Sequence, residues 1–431
     1  MSDDTIKTVV ENELCFGCGT CKAICPSEAI HIEFSPLGRL LPTVKEELCI
    51  HCGLCLKTCP GIDLAGDLSE AIDASLMGHI ENVLFAKSSD PSIFDNAQSG
   101  GGVTATLFYL FERERIDAAM LVHQVNHEAK YRIVTKKEDL FDCQSSQYTP
   151  VDLNSSLKNI TTYQHVAVVG LPCHIEGIAK LKKAFPERFS NIEYLLGLVC
   201  AGTLGQACVE VTKKIGEPKI GKIAKDDKIY WRLKKYSNYN RAEIAIVGAT
   251  GVPRILDNNI RHICKRYLTS PRCLLCFDKM NLYSDITFGD CWGVTGDDTK
   301  EGGNIIISRT KKGDALLSDL TSHGILVHRP CSTDEIKKGQ KISKKKRTVE
   351  KVLAVYKKKS FRFPGWAESA AFTVDDSQDK HLATSISNFI MRDKLSSEIA
   401  VKSITSKVRT MLFIKKITGK IRKTIGYKKN A

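Results

Sequence analysis

The sequence predicts an α+β to α/β protein: a small cysteine-rich N-terminal domain, a larger mixed α/β body, and a basic tail that is either helical or disordered. Three observations predict it. A four-cysteine phrase is written twice in the first 62 residues, as CFGCGTCKAICP from Cys15 and CIHCGLCLKTCP from Cys49. From about residue 80, apolar stretches of strand length alternate with stretches of helical period, the mark of layered α/β architecture. From Lys341 onward there are 23 Lys+Arg and 7 Asp+Glu, a surplus of 16 that exceeds the +14 of the whole chain and leaves the first 340 residues at −2. The expected division is 1–65, 80–160, 161–340 and a tail over 341–431.

The N-terminal stretch has too little apolar periodicity to fold on burial alone and calls for a metal staple. In the body, NVLFAKS reads as a strand, GGVTATLFYLFERERI as a helix and DAAMLVHQV as a strand. HVAVVGLP and EYLLGLVC read as strands, each followed by a helix, CHIEGIAKLKKAF and GTLGQACVEVTKKI. AEIAIVGATGVPRIL, SDITFGDCWG and NIIISRT read as strands of a β-richer part, and beyond about residue 340 the pattern decays into lysine runs. The longest apolar stretch, YLLGLVCAGTLGQACV, is short and interrupted by Gln206 and glycines, so it reads as a buried strand and helix rather than a membrane span. The opening MSDDTIKTVVENE has no apolar core segment and suggests no secretory signal, so the expected location is cytoplasmic, or peripheral to a membrane through the tail. Seventeen cysteines in such a chain point to metal rather than disulfides. A nearly neutral body argues against a nucleic-acid-binding core.

Each phrase has the spacing C-x2-C-x2-C-x3-C-P. Three close thiolates hold one cubane cluster, while the fourth reaches across to the other. Cys15, Cys18, Cys21 and Cys59 are thereby assigned to one [4Fe-4S] cluster, and Cys49, Cys52, Cys55 and Cys25 to a second, making a two-cluster ferredoxin-type domain. Zinc would ask for two pairs rather than triplets plus singles. Further along, Cys273 and Cys276 form a C-x2-C pair, and Cys173 and Cys200 sit at predicted strand ends. Together they make a candidate ligand set for a third cluster; a zinc site on the pair, or ordinary buried thiols, are the alternatives. Cys264 and Cys291 stand in reserve. Cys143, Cys208 and Cys331 read as packing or surface residues.

The doubled phrase, AQSGGGVTATL, SSQYTPV, VGLPCHIEGIAKL, LGLVCAGT, CLLCFDKMNLYSDITFGDCWG and GGNIIISRTKKG, in this order over about residues 10–345, resemble the coenzyme F420 hydrogenase/dehydrogenase beta-subunit family. The resemblance implies a flavin- and iron–sulfur-binding body that holds FAD beside [4Fe-4S] clusters. Members pass hydride between that flavin and the deazaflavin coenzyme F420, take electrons from ferredoxin, or are linked to surface polysaccharide synthesis. It implies flavin contacts at Ser99, Gly100, Gly101 and Thr104, and pocket walls at Tyr148, Gly170, Pro172, Asp290, Trp292, Asn304 and Arg309. It also implies the third-cluster set Cys173, Cys200, Cys273 and Cys276. From the residues alone, the glycines suit an anion at a helix start or a plain turn, since no G-x-G-x-x-G is present. Trp292 beside Asp290 either stacks on a ring or fills core, and Arg309 either holds a phosphate or faces solvent.

Clusters move one electron and hydride carriers two, so a flavin between them is the expected converter. The expected function is an iron–sulfur flavoprotein oxidoreductase acting with a redox partner protein or ferredoxin. Its small-molecule substrate would be a deazaflavin or another two-electron compound, with no nucleic acid. The alternatives are an electron-relay subunit without substrate chemistry of its own, a ferredoxin-linked reductase in surface polysaccharide synthesis, or a zinc-stabilised interaction protein. No G-x-S-x-G, P-loop or H-E-x-x-H points to hydrolysis or phosphoryl transfer. In the tail, a helix would align Ile404, Val408 and Met411, while Ile417, Ile421 and Ile425 drift around its axis. Such a segment fits an anionic membrane surface, an acidic partner, or a solvated tail.

Overall fold

The computed structural model describes residues 5–64, 76–234, 239, 242–368, 372 and 379–424. The sequence repeat of the N-terminal unit is a structural one. Gly19 and Gly53 both take left-handed backbone (φ 88° and 69°) and open the short helices Thr20–Ile24 and Leu54–Lys57. The third cysteine of each phrase therefore lies in a helix and the fourth just past its end. Between them runs an antiparallel hairpin of β1 (Ile30–Phe34) and β2 (Leu40–Val44), in register Ile30↔Val44 to Phe34↔Leu40.

The body is built on an eight-stranded mixed sheet. Its strands are β3 (Asn82–Ser88), β4 (Ala118–Val125), β5 (Glu128–Val134), β6 (Val166–Gly170) and β7 (Ile192–Leu198). A separate antiparallel sheet holds β8 (Lys228–Leu233), β9 (Glu243–Val247) and β10 (Pro253–Leu256), so AEIAIVGATGVPRIL is a hairpin rather than one strand. The main sheet is completed by β11 (Ile286–Asp290), β12 (Asn304–Ser308) and β13 (Leu326–Pro330), in the order β13-β3-β12-β11-β7-β6-β4-β5. Strands β4, β6, β7 and β11 are mutually parallel; β12 runs against β11, and β3 against β12. The C-terminal ends of β3, β6, β7 and β11 therefore meet at one edge, together with the start of β12. That edge is where open α/β sheets bind ligands.

Both faces of the sheet are covered. The helix Gly102–Glu112 buries Leu107 and Leu110 on one face with Phe288 and Ile306, and the helix Pro172–Ala184 buries Ile175, Ile178 and Leu181 on the other. Each such buried side chain contributes ~1.5–3 kcal/mol. Ala23 and Ile24 of the N-terminal unit join this second core, which fixes the cysteine-rich unit to the body.

Two expectations are corrected. GTLGQACVEVTKKI becomes helical only at Ala207. Before it, Gly202 is left-handed (φ 98°), and a side chain at Gly205 would meet the Leu37 carbonyl oxygen at 2.0 Å, so the segment stays extended. Past residue 340 the chain does not decay into lysine runs. The helix Ile342–Lys358 buries Val349, Val352, Leu353 and Tyr356 in the same core as Ile6, Val9 and Leu14, and the Tyr356 hydroxyl donates to the Glu13 carbonyl at 2.8 Å. In the helix Ser397–Thr424, Ile404 and Val408 are buried in a core with Val209, Val211, Ile260 and Ile263, and Met411 packs against it. The stripe expected to face a membrane or partner is thus spent on the body. Ile421 contributes backbone only, and Ile425 lies outside the described residues.

Candidate functional site

Cys15, Cys18, Cys21 and Cys59, the set grouped by spacing, line one cavity within the N-terminal unit. The Gly17 N–H lies 3.4 Å from the Cys15 sulfur and the Gly61 N–H 3.3 Å from that of Cys59. Such donors stabilise thiolate charge. Burial pushes the Cys15 thiol up to about 12 and raises Cys18, Cys21 and Cys59 as well. Left metal-free these sulfurs hold their protons; only a bound cation makes four buried thiolates tolerable. The second set, Cys25, Cys49, Cys52 and Cys55, lies nearer the surface, with Cys52 exposed. Cys55 is raised by burial and feels Cys52 and Cys25.

Cys173, Cys200, Cys273 and Cys276, the third set, line a cavity of their own, although they come from three separate segments. Cys173 follows Pro172 at the start of the Pro172–Ala184 helix, Cys200 follows β7, and the Ser270 side chain caps the short helix that carries Cys273. The Gly202 N–H lies 3.4 Å from the Cys200 sulfur, and burial raises Cys276 to about 12. Among the described residues no three His, Cys, Asp or Glu side chains converge on a single ion position. Sulfurs standing around a cavity suit a polynuclear centre, whose corners each take one thiolate, better than a zinc ion at about 2.3 Å from every ligand. The first set adjoins cysteines of both others: Cys21 feels Cys55, and Cys173 feels Cys18. Cys264 lies in the core beside Cys208, and Cys291 beside Tyr239; neither lines a thiol cavity.

Phe16 lines the cavities of both the first and the third set. The Arg272 guanidinium, only 2% exposed, lies 4.0 Å from its ring centroid. Arg272 donates to the carbonyls of Leu14 (3.1 Å) and Pro60 (3.4 Å), each next to a cysteine of the first set, while it directly precedes Cys273 of the third. Its Nη1 finds no partner. Glu176 and Asp278 are buried nearby, and burial raises them to about 8 and about 6. None of these four residues stands out in the sequence, because their contacts join segments far apart along the chain.

The residues expected at a flavin fall in three kinds of environment, and Arg309, just past the end of antiparallel β12, lies at the edge opposite the ligand edge. Ser99 donates to the Gly303 carbonyl, and a side chain at Gly100 would meet Asn304 at 2.6 Å and the Ala86 carbonyl at 2.9 Å. Gly101 (φ 77°) caps the Gly102–Glu112 helix, and half-buried Thr104 sits in its first turn. Asp290 and Trp292 belong to an aromatic–basic cluster: Asp290 accepts from Arg232 at 2.6 Å and from Trp292 Nε1 at 3.1 Å, and Trp292 stacks on Tyr239 at 5.0 Å. Arg232 lies over both rings, its Nη2 buried without a partner, and Arg261 covers Tyr148 at 4.6 Å.

Gly170, Pro172, Asn304 and Arg309 are placed differently. Gly170 packs on Ile175, and Pro172 lines the cavity of the third thiol set. Asn304 is spent on the scaffold, accepting from the Gly102 N–H at 2.9 Å and donating to the Gly289 carbonyl. Arg309 neither faces solvent nor offers a free edge to a phosphate. It is 4% exposed and donates to Thr287 and to the carbonyls of Met77, His79 and Met280. Arg232 and Tyr239, which the sequence reading missed, are as buried as Arg309, but Arg232 keeps an unpartnered Nη2; a lone arginine within the apolar β8 was the one available signal.

Comparison with known proteins agrees with this geometry. A 4Fe-4S dicluster domain matches residues 14–61. The N-terminal and C-terminal models of the coenzyme F420 hydrogenase/dehydrogenase beta subunit match residues 83–158 and 163–334. The chain is 26% identical over 327 residues to a coenzyme F420-dependent sulfite reductase of Methanocaldococcus jannaschii, covering 72% of this chain and 46% of that protein. It is 26% identical to the F420-dependent formate dehydrogenase 1 subunit beta of Methanococcus maripaludis, covering 56% of this chain and 59% of that one, so it spans about half the length of these two relatives. With a coenzyme F420 hydrogenase subunit beta of Methanococcus voltae it shares 24% identity, covering 63% of this chain and 92% of the relative. A chain of the F420-reducing [NiFe] hydrogenase complex from Methanosarcina barkeri superposes with a TM-score of 0.51 at 19% identity, over 67% of this chain and 95% of that one, a likeness of fold. The chain therefore belongs to the coenzyme F420 hydrogenase/dehydrogenase beta-subunit family, as an iron–sulfur, electron-transferring member with a 4Fe-4S dicluster domain ahead of the family body.

Proposed function

We propose that this chain is an iron–sulfur flavoprotein subunit of an oxidoreductase, holding three [4Fe-4S] clusters and FAD. It exchanges two electrons with a coenzyme F420-type deazaflavin or another small two-electron substrate, and single electrons with a redox partner protein or ferredoxin. The observation that carries the reading is the pair of neighbouring four-thiol cavities, of Cys15, Cys18, Cys21 and Cys59 and of Cys173, Cys200, Cys273 and Cys276, which share Phe16 in their walls. When bound, clusters supply one-electron steps and a flavin converts them to two-electron chemistry. The chain's own contribution is placement and electrostatics. Glycine N–H groups and Arg272 offset thiolate charge, and Phe16 keeps the cavities of the first and third sets apart by a single side chain.

Half-buried Trp292, held by Asp290 and stacked on buried Tyr239, together with the unpartnered Nη2 of Arg232, is where a ring system would be held. The competing reading is a relay without flavin; it gains weight because Asn304 and Arg309 are both consumed by the scaffold. Anaerobic purification separates the two. The flavoprotein shows iron and sulfide near twelve per chain, as three four-iron clusters require, and absorbance near about 450 nm that bleaches with one of reduced deazaflavin, NAD(P)H or ferredoxin. Iron without that band establishes the relay, and material with neither overturns both.

A further inference from the structure

The C-terminal helix carries a second apolar face, distinct from the one buried on the body. Phe413, Ile414 and Ile417 are 64%, 51% and 41% exposed, and Ile399 is exposed as well. At about 100° per residue these four share one side of the helix, opposite the side that buries Ala400, Val401, Ile404 and Val408. The surroundings are basic. Lys402 and Lys416 are exposed on the same helix, Arg409 and Lys415 reach back to the Lys214 carbonyl and to Asn259 of the body, and the sequence continues with Lys420, Arg422, Lys423, Lys428 and Lys429. From Ile399 to the last residue there are ten Lys+Arg and no Asp or Glu. Among the described residues no helix is long and apolar enough to cross a membrane.

We infer that this outer face lies on an anionic membrane surface, with Phe413, Ile414 and Ile417 entering the acyl boundary and the lysines at the headgroups. Charge selects the occupant. Lysines beside exposed isoleucine and an aromatic are the composition of in-plane helices, whose binding sums apolar insertion and attraction to anionic lipid. The body stays above the surface because the opposite side of the same helix is packed on the helices Ala207–Ile220 and Asn259–Leu268. This inference does not depend on the redox reading.

The test is co-sedimentation of the full-length protein with vesicles of phosphatidylglycerol and phosphatidylcholine, against phosphatidylcholine alone. Binding is expected only to the anionic vesicles, weakening steeply between low salt and about 0.5 M salt as surface charge is screened. The triple substitution F413S/I414S/I417S should lower the partition constant at least about tenfold and leave iron content and elution volume unchanged, since all three side chains face solvent. In a second measurement, F413W emission should shift blue on adding anionic vesicles. The inference is overturned if wild type ignores anionic vesicles at low salt, or if the triple variant binds them as wild type does. It is equally overturned if the face captures an acidic ferredoxin but no vesicle.

Discussion

Removing the charge of Arg272 while keeping its bulk, as in Arg272→Met, tests whether this residue couples the first and third thiol sites. The guanidinium is buried, holds the carbonyls of Leu14 and Pro60, stacks on Phe16, and precedes Cys273. Both sites gain negative charge when reduced, so a nearby positive charge favours reduction in each. For charges roughly 8 Å apart at an effective dielectric of about 20, the Coulomb energy is ~2 kcal/mol. For a one-electron couple that corresponds to about 90 mV. Arg272→Met should therefore lower two midpoint potentials together by tens of millivolts, and Arg272→Lys should restore part of the shift. The assay is a redox titration of the anaerobic full-length protein followed by electron paramagnetic resonance, which resolves the clusters separately. Shifts below about 20 mV at both sites in the methionine variant would refute the reasoning. A wild type with only two clusters would instead remove the third site from the proposed function.

Two further outcomes are expected. Burial, with Asp278 nearby, raises the Glu176 carboxyl from 4.5 to about 8, so the folded state holds a proton that the unfolded chain releases above its ordinary value. Stability from this group is complete below about pH 4.5 and is lost as pH rises toward 8; Glu176→Gln should match wild type at pH 5 and gain ~2 kcal/mol in denaturant titrations at pH 8, and identical curves at pH 8 would contradict it. Gly100→Ala forces a Cβ onto Asn304 and the Ala86 carbonyl; flavin retention should fall more than about tenfold with iron content unchanged, and a variant that keeps its yellow band would show that the loop does not shape the cofactor site.

What the sequence made legible follows from how local each signal is. The eight N-terminal cysteines sit in two short phrases, so spacing alone groups the four that share the first cavity. Cys173, Cys200, Cys273 and Cys276 could be nominated because the strand ends were readable, but their meeting depends on β6 and β7 being parallel neighbours. Arg272 could not be read, since its partner Leu14 is 258 residues away. Arg309 misled because a buried arginine that satisfies backbone carbonyls looks the same in one dimension as a phosphate ligand. The tail was readable as an amphipathic helix but not as one with two apolar faces. Ile404 and Val408 are the stronger stripe, and the body takes them first.

The helix Ile342–Lys358 closes over the first residues of the chain, with Tyr356 on the Glu13 carbonyl. The segment around Glu13 is thus covered by one made 343 residues later. At roughly 5–20 residues per second, about 15 to 60 seconds of synthesis separate the first cysteine phrase from the helix that packs beside it. If clusters are held as proposed, the first phrase is open to iron and sulfide during that interval and is covered once Tyr356 reaches the Glu13 carbonyl. Deleting the helix Ile342–Lys358 should give a protein that accepts clusters readily and loses them just as readily, making a segment far along the chain a determinant of how long the first cysteine phrase keeps its metal.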